Sequence, residues 1–268
     1  MTTQPDDFLV GSACRAVVEM WDIVVANFLA GGPAVPPELQ SWHSSYSGTG
    51  RGAVELAAFP EPFLGSLVQP KAVFLALNPG EAHLDFQGRE GTFAKDIHEK
   101  GSYSAWAASW PYLRDPWVAE KGKNRHHSSR LQFMRNWFDD LQLPFSAMVG
   151  FELYPWHSKG VTGRMCPDKG IVDEFVWGPV AELGAPVFAF GAPWFPILES
   201  IPGLRVVVRL GSGVGETPYK SSVASRSVMV LKSENDVAVI VEKHSGSAVP
   251  PTREETVRLR EELNRWLR

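Results

Sequence analysis

Six consecutive apolar residues, AVFLAL at 72–77, run straight into Asn78-Pro79-Gly80 and constrain the fold more than any other stretch of the chain. A run so apolar and so short reads as a strand buried on both faces, which requires a sheet with helices on either side. Pro79 has no N–H to give a ladder and Gly80 permits a sharp turn, so the strand stops there. Ligands bind at strand ends in such sheets. Asn78 is therefore either a strand-end turn former or a side chain delivered to a pocket.

The same pattern recurs along the chain. AMVGFEL (147–153), VFAFG (187–191), RVVVRL (205–210), SVMVLK (227–232) and VAVIVEKH (237–244) read as further strands. Between them, apolar residues at spacings of three and four predict helices over 14–32, over 128–143 with a serine N-cap, and over 169–184 with an interruption at Gly178-Pro179. Thr252 and Glu255 form a capping box that opens a last amphipathic helix. Alternating strands and helices predict an α/β fold, a three-layer sandwich with a central, mainly parallel sheet. The expected organisation is one domain over 1–268, its core at about 70–250 and its terminal helices packed on it. Residues 80–127 show little periodicity and read as a long functional loop. GSGVG (211–215) leads into TPYKSS, not a helix, which excludes a dinucleotide fingerprint there.

Composition narrows the partners. A net charge of −4 means that any nucleic-acid contact must rest on a local basic face. Two cysteines, Cys14 and Cys166, exclude a four-cysteine cluster. His126 and His127 are adjacent with no further ligand near, so no metal site is expected, and no cofactor. No apolar run reaches the roughly 20 residues of a membrane helix. The expectation is a soluble, cytoplasmic protein with no membrane and no obligate protein partner.

Three strand ends taken together carry a resemblance: Leu77-Asn78-Pro79-Gly80, Glu152-Leu153-Tyr154-Pro155-Trp156 and Lys243-His244-Ser245-Gly246-Ser247. In order and coarse spacing, over roughly residues 70–250, the chain resembles the uracil-DNA glycosylase superfamily. That superfamily has an Asn-Pro-Gly or similar turn after its first strand, a base-reading polar residue after an inner strand, and a histidine-serine loop after the last. The chain departs from the pattern in two places: HSGSAVP lacks the proline that more often follows the histidine, and Glu152 stands where asparagine is common.

The resemblance implies DNA, single- or double-stranded, as partner and a monofunctional glycosylase that leaves an abasic site. Cleaving a base from its sugar builds positive charge on the sugar and negative charge on the base, and the base must first be flipped from the stack. Asn78 would orient the attacking water, with Glu81, His83 or Asp85 as candidate proton acceptors. Gly80 would let backbone approach the base, His244 would donate to the departing base, and Phe93 (or Phe86) would stack on it. Tyr154 would complete the base pocket. Ser245, Ser247, Lys123, Arg125, Arg130 and Lys159 would meet DNA phosphates.

Glu152 sharpens the substrate. An ionised carboxylate only accepts hydrogen bonds, so it would repel O4 of uracil and accept from the N4 amine of cytosine. A modified cytosine of phage DNA, hydroxymethylated or glucosylated, is the expected base, with antiviral defence as the setting. Alternatives are a uracil or hypoxanthine repair glycosylase, a nucleic-acid-binding module on the same fold that has lost catalysis, a small-molecule nucleotide hydrolase, and Glu152 paired with Arg130 or Arg164 instead of a base.

Overall fold

The computed structural model describes residues 11–219, 226–243 and 248–267. They form an α/β fold around one eight-stranded mixed sheet, an arrangement compatible with a three-layer sandwich. The strands are β1 (Phe63–Leu64), β2 (Ala72–Ala76), β3 (Met148–Glu152), β4 (Val187–Phe190), β5 (Arg205–Gly211), β6 (Thr217–Pro218), β7 (Ser227–Lys232) and β8 (Ala238–Lys243). Their order across the sheet is β1-β3-β2-β4-β8-β7-β5-β6.

The expectation of a mainly parallel sheet holds in part: among the described residues four of the seven strand pairings are parallel and three antiparallel. β3, β2, β4 and β8 run parallel to one another, as β6 does to β5. β7 is antiparallel to both β8 and β5, and β1 is antiparallel to β3. The reason for the first reversal is the tight connection at residues 233–237. There Ser233 N–H donates to Val237 O at 3.0 Å and Asp236 takes a positive φ of 61°. So short a link can only return the chain antiparallel.

Register aligns the ends of the parallel strands. Ala76 of β2 pairs with Glu152 of β3, and Phe190 of β4 with Glu242 of β8. Side chains alternate along a strand, so Phe74, Phe188 and Phe190 share one face. Phe133 of the helix Arg125–Phe138 packs on all three rings, and the C-terminal helix Arg253–Leu267 packs on that helix in turn. The opposite face carries Phe151, whose ring meets Phe63 and, through it, Tyr103. On that side the helix Ser12–Leu29 packs against the helix Tyr103–Ala108 and the segment 173–183.

Residues 80–127 are far from a bare loop. They contain the short helices Leu84–Gln87, Thr92–Lys100, Tyr103–Ala108 and Trp117–Lys121. These enclose an aromatic cluster in which Phe86, Phe93, Trp106, Tyr112 and Trp117 pack mostly edge to face, a geometry that adds to plain area burial. Helices this short lack the repeats that reveal a period in sequence. Trp106 is wholly buried among Phe59, Phe93, Tyr103 and Tyr112. Trp106→Ala should therefore cost about 3–5 kcal/mol, read as a lower urea midpoint with an unchanged denaturant slope.

Candidate functional site

The carboxyl edge of the parallel strands brings Asn78 and Glu152 together, because β2 and β3 are neighbours in register. β8 ends on the same edge at Lys243. His244, Ser245 and Ser247, which follow it, lie outside the described residues.

Asn78 is held from one side. Its Nδ2 donates to Ser158 Oγ at 2.7 Å and to Ser158 O at 3.2 Å. The Ser158 carbonyl can only accept, which fixes nitrogen on that side of the amide. Among the described residues nothing donates to Asn78 Oδ1, which is left as an acceptor. Ser158 Oγ in turn donates to Gly160 O at 3.0 Å. The backbone is clasped as well: the carbonyl of Gly80 accepts from Ser158 N at 3.0 Å. Gly80 sits at φ +89°, and a Cβ there would meet nothing within 4 Å, so the turn needs glycine for its conformation and leaves an open approach to the backbone.

Glu152 is 8% exposed, and its Oε2 is buried without a hydrogen bond. Burial pushes its carboxyl up to about 8; the charge of Arg130 opposes the shift and that of Glu61 adds to it. At neutral pH Glu152 is mostly a neutral acid, which donates as well as accepts. This corrects the premise that it is an acceptor only.

Arg130 is corrected too. It was expected to meet DNA phosphate, but it is 4% exposed on the inward side of its helix. It lies 5.8 Å over the Phe190 ring, and its Nη1 donates to His126 O at 3.1 Å. Its Nε and Nη2 are buried and unpartnered. Glu152 and Arg130 feel each other's charge without approaching to ion-pair distance. Arg164 is exposed and directs Nε to Cys166 Sγ.

The other expected contacts sort by burial. Phe93 has no exposed surface and is ringed by Phe86, Trp106, Tyr112 and Trp117. It is a core ring, as is Phe86, and neither presents a face for stacking. Tyr154 is buried, with its hydroxyl 2.7 Å from Ser45 Oγ and its ring on Tyr46, so it belongs to the interior and not to a base pocket. Glu81 pairs with Lys159 at 2.7 Å, and Asp85 pairs with Lys121. Each lysine holds its carboxyl below the usual range, which makes both poor proton acceptors. His83 packs edge-on against Trp117.

The basic run at 121–130 is less basic than it reads. The helix begins at Arg125 with Asn124 as N-cap, its side chain accepting from His127 N at 3.2 Å, so the serines expected to cap it lie inside. Burial and the charge of Arg130 push His127 down to about 3 and His126 well below its ordinary value. Both imidazoles are therefore neutral. Lys123, Arg125 and Lys159 remain exposed.

His157 and Ser158 are the residues sequence reasoning missed. The signal was a polar pair directly after the buried Tyr154-Pro155-Trp156. Among the described residues no cluster of His, Cys, Asp and Glu is placed to hold a metal ion, and no helix is long and apolar enough to cross a membrane. Comparison with models of known families, with curated proteins and with solved structures finds no match.

The state of Glu152 has a consequence for stability. The folded chain keeps its proton up to about pH 8, whereas an ordinary glutamate releases it near 4.5. Folding therefore binds a proton between those values. The contribution of Glu152 is full below about pH 4.5 and is lost as pH rises to about 8. Glu152→Gln should flatten that part of the stability–pH profile, measured by urea denaturation across pH 4–9. An unchanged slope would mean that Glu152 binds its proton no more tightly in the folded chain than in the unfolded one.

Proposed function

We propose that the chain is a monofunctional DNA glycosylase that hydrolyses the N-glycosidic bond of a flipped, modified cytosine-class base and leaves an abasic site. The observation that carries this reading is the Asn78 amide, pinned through its nitrogen to Ser158 with Oδ1 left to accept, on the same strand edge as Glu152, whose Oε2 is buried without a hydrogen bond. An acceptor fixed in this way orients a water by accepting a hydrogen bond from it, which aims a lone pair at the sugar carbon. Neither tied carboxylate, Glu81 or Asp85, is suited to deprotonate that water. Water adding to an already cationic sugar needs orientation more than a strong base. The order of the three strand-end motifs supports the same reading, and His244 would donate to the departing base.

Neutral Glu152 fits the edge of cytosine at two points. Its carbonyl oxygen accepts from N4 and its O–H donates to N3. Ionisation removes the donor, so base release should fall as pH rises through about 8. Glu152→Gln presents the same donor and acceptor without titrating, and should keep activity while losing that fall. Anti-phage restriction suits such a substrate, because removal of plain cytosine would damage the host.

The test is base release, scored as alkali-labile strand breaks, from single strands and duplexes carrying cytosine, hydroxymethylcytosine, its glucosylated form, uracil or hypoxanthine. A modified cytosine should be released fastest, and release of uracil fastest would overturn the cytosine-class reading. Asn78→Ala and His244→Ala should each lower turnover by ~100-fold or more with little change in DNA affinity. Borohydride should trap no covalent adduct, since no lysine side chain acts as a Schiff-base nucleophile in this scheme.

A further inference from the structure

Behind the Asn78-Pro79-Gly80 turn runs a string of buried polar groups that the proposed chemistry does not use. It starts at the Gly80 carbonyl, which faces His157 Nδ1 at 3.2 Å. A carbonyl only accepts, so Nδ1 carries a proton. The other ring nitrogen, Nε2, lies 3.3 Å from Glu61 Oε1, at ion-pair distance but off the line of a hydrogen bond. Glu61 Oε1 also accepts the hydroxyl of Tyr112. Gln87 Nε2 donates to that hydroxyl at 2.6 Å, and Gln87 Oε1 accepts from His83 N at 2.7 Å. The string thus leaves the loop at Gly80 and re-enters it at His83. Glu61 is tied to the segment after β3 as well, since its N–H donates to Pro155 O at 2.7 Å.

Every side chain in the string is buried, His157 to 1% exposure. The other ionisable groups in reach are Glu152, Tyr103 and Tyr112, each of which feels Glu61, and His127, whose ring packs on Tyr112. Among the described residues the Glu61 carboxyl meets the Tyr112 hydroxyl and His157 Nε2. A buried carboxyl is costly unless it is paired or hydrogen-bonded. The pair therefore holds itself in place. One end of it grips the backbone two residues from Asn78, on the same short segment whose Ser158 grips the Asn78 side chain.

We propose that His157, backed by Glu61, is a positioning residue: it holds the Asn-Pro-Gly turn so that the Asn78 amide stays pinned by nitrogen with Oδ1 outward. Its effect on base release rests on the glycosylase reading; its hold on Asn78 does not.

Two substitutions separate the contacts. The amide of His157→Asn reaches the position of Nδ1 and keeps a donor for Gly80 while abandoning Glu61. The longer His157→Gln reaches the position of Nε2 and keeps Glu61 while abandoning Gly80. The readout is solvent exchange of the Asn78 side-chain amide protons by 15N–1H NMR, alongside kcat and KM for release from the best modified-cytosine strand. His157→Gln should speed exchange and lower kcat by roughly 10-fold or more at constant KM, whereas His157→Asn should stay within about 3-fold of wild type. Glu61→Gln, which weakens the backing and leaves the Gly80 contact in place, should speed exchange to the same modest degree as His157→Asn, by about 2- to 3-fold, and it decides the matter if His157→Gln does not fold. Equal exchange in the two histidine variants, or no change in Glu61→Gln, overturns the proposal. Exchange that divides as expected in a protein that releases no base upholds the positioning role and discards the glycosylase reading.

Discussion

The site depends on the parallel pairing of β2 with β3. Because Ala76 lies opposite Glu152, the two strands end level, and the residues that follow them meet at one edge. The loop after β2 and the loop after β3 then clasp each other through Asn78, Gly80, His157 and Ser158. The helix Arg125–Phe138 runs back across the same face: Arg130 in its early turns lies over Phe190, and Trp137 near its end packs on Phe188. Its N-terminus therefore lies at the carboxyl edge, which adds a partial positive charge there.

A buried polar atom without a hydrogen bond lowers stability, and Glu152 Oε2 is such an atom. Valine or leucine would fill the end of β3 at lower cost. Local conflicts of this kind are expected where a sequence serves chemistry over stability. Arg130 makes the same point, with two guanidinium nitrogens buried and unpaired a short distance away. Between them the two groups leave two guanidinium nitrogens and one carboxyl oxygen buried without a hydrogen bond.

Six of the eight strands were legible in the sequence because each is a compact apolar run, and β7 at 227–232 matches its reading residue for residue; β1 and β6, two residues each, are too short to show a pattern. Direction was not, since hydrophobicity carries no sense along the chain; the hairpin at 233–237 reverses β7 against β8 without altering either pattern. Asn78 and Glu152 were legible as polar residues closing buried strands. Arg130 was misread within a basic run, although its spacing to Phe133, Met134 and Trp137, all buried, places it on the inward face of the helix. Phe93 was misread because its neighbours in space, Trp106, Tyr112 and Trp117, come from helices too short to show a period. His157 was missed because its meaning lies in Glu61, almost a hundred positions earlier.

The mixed sheet divides the chain by the distance that contacts span. β5, β7 and β8 fall within residues 205–243 and pair antiparallel with one another. β2, β3 and β4 must gather from positions 72, 148 and 187 before any of their ladder exists. Loop closure of that span is paid in chain entropy before contacts compensate, so local pairing has the head start. β8 belongs to both halves, because it also pairs with β4. It is the seam along which the antiparallel meander joins the parallel layer, while the edge that carries Asn78 and Glu152 waits on the long-range pairing of β2 with β3.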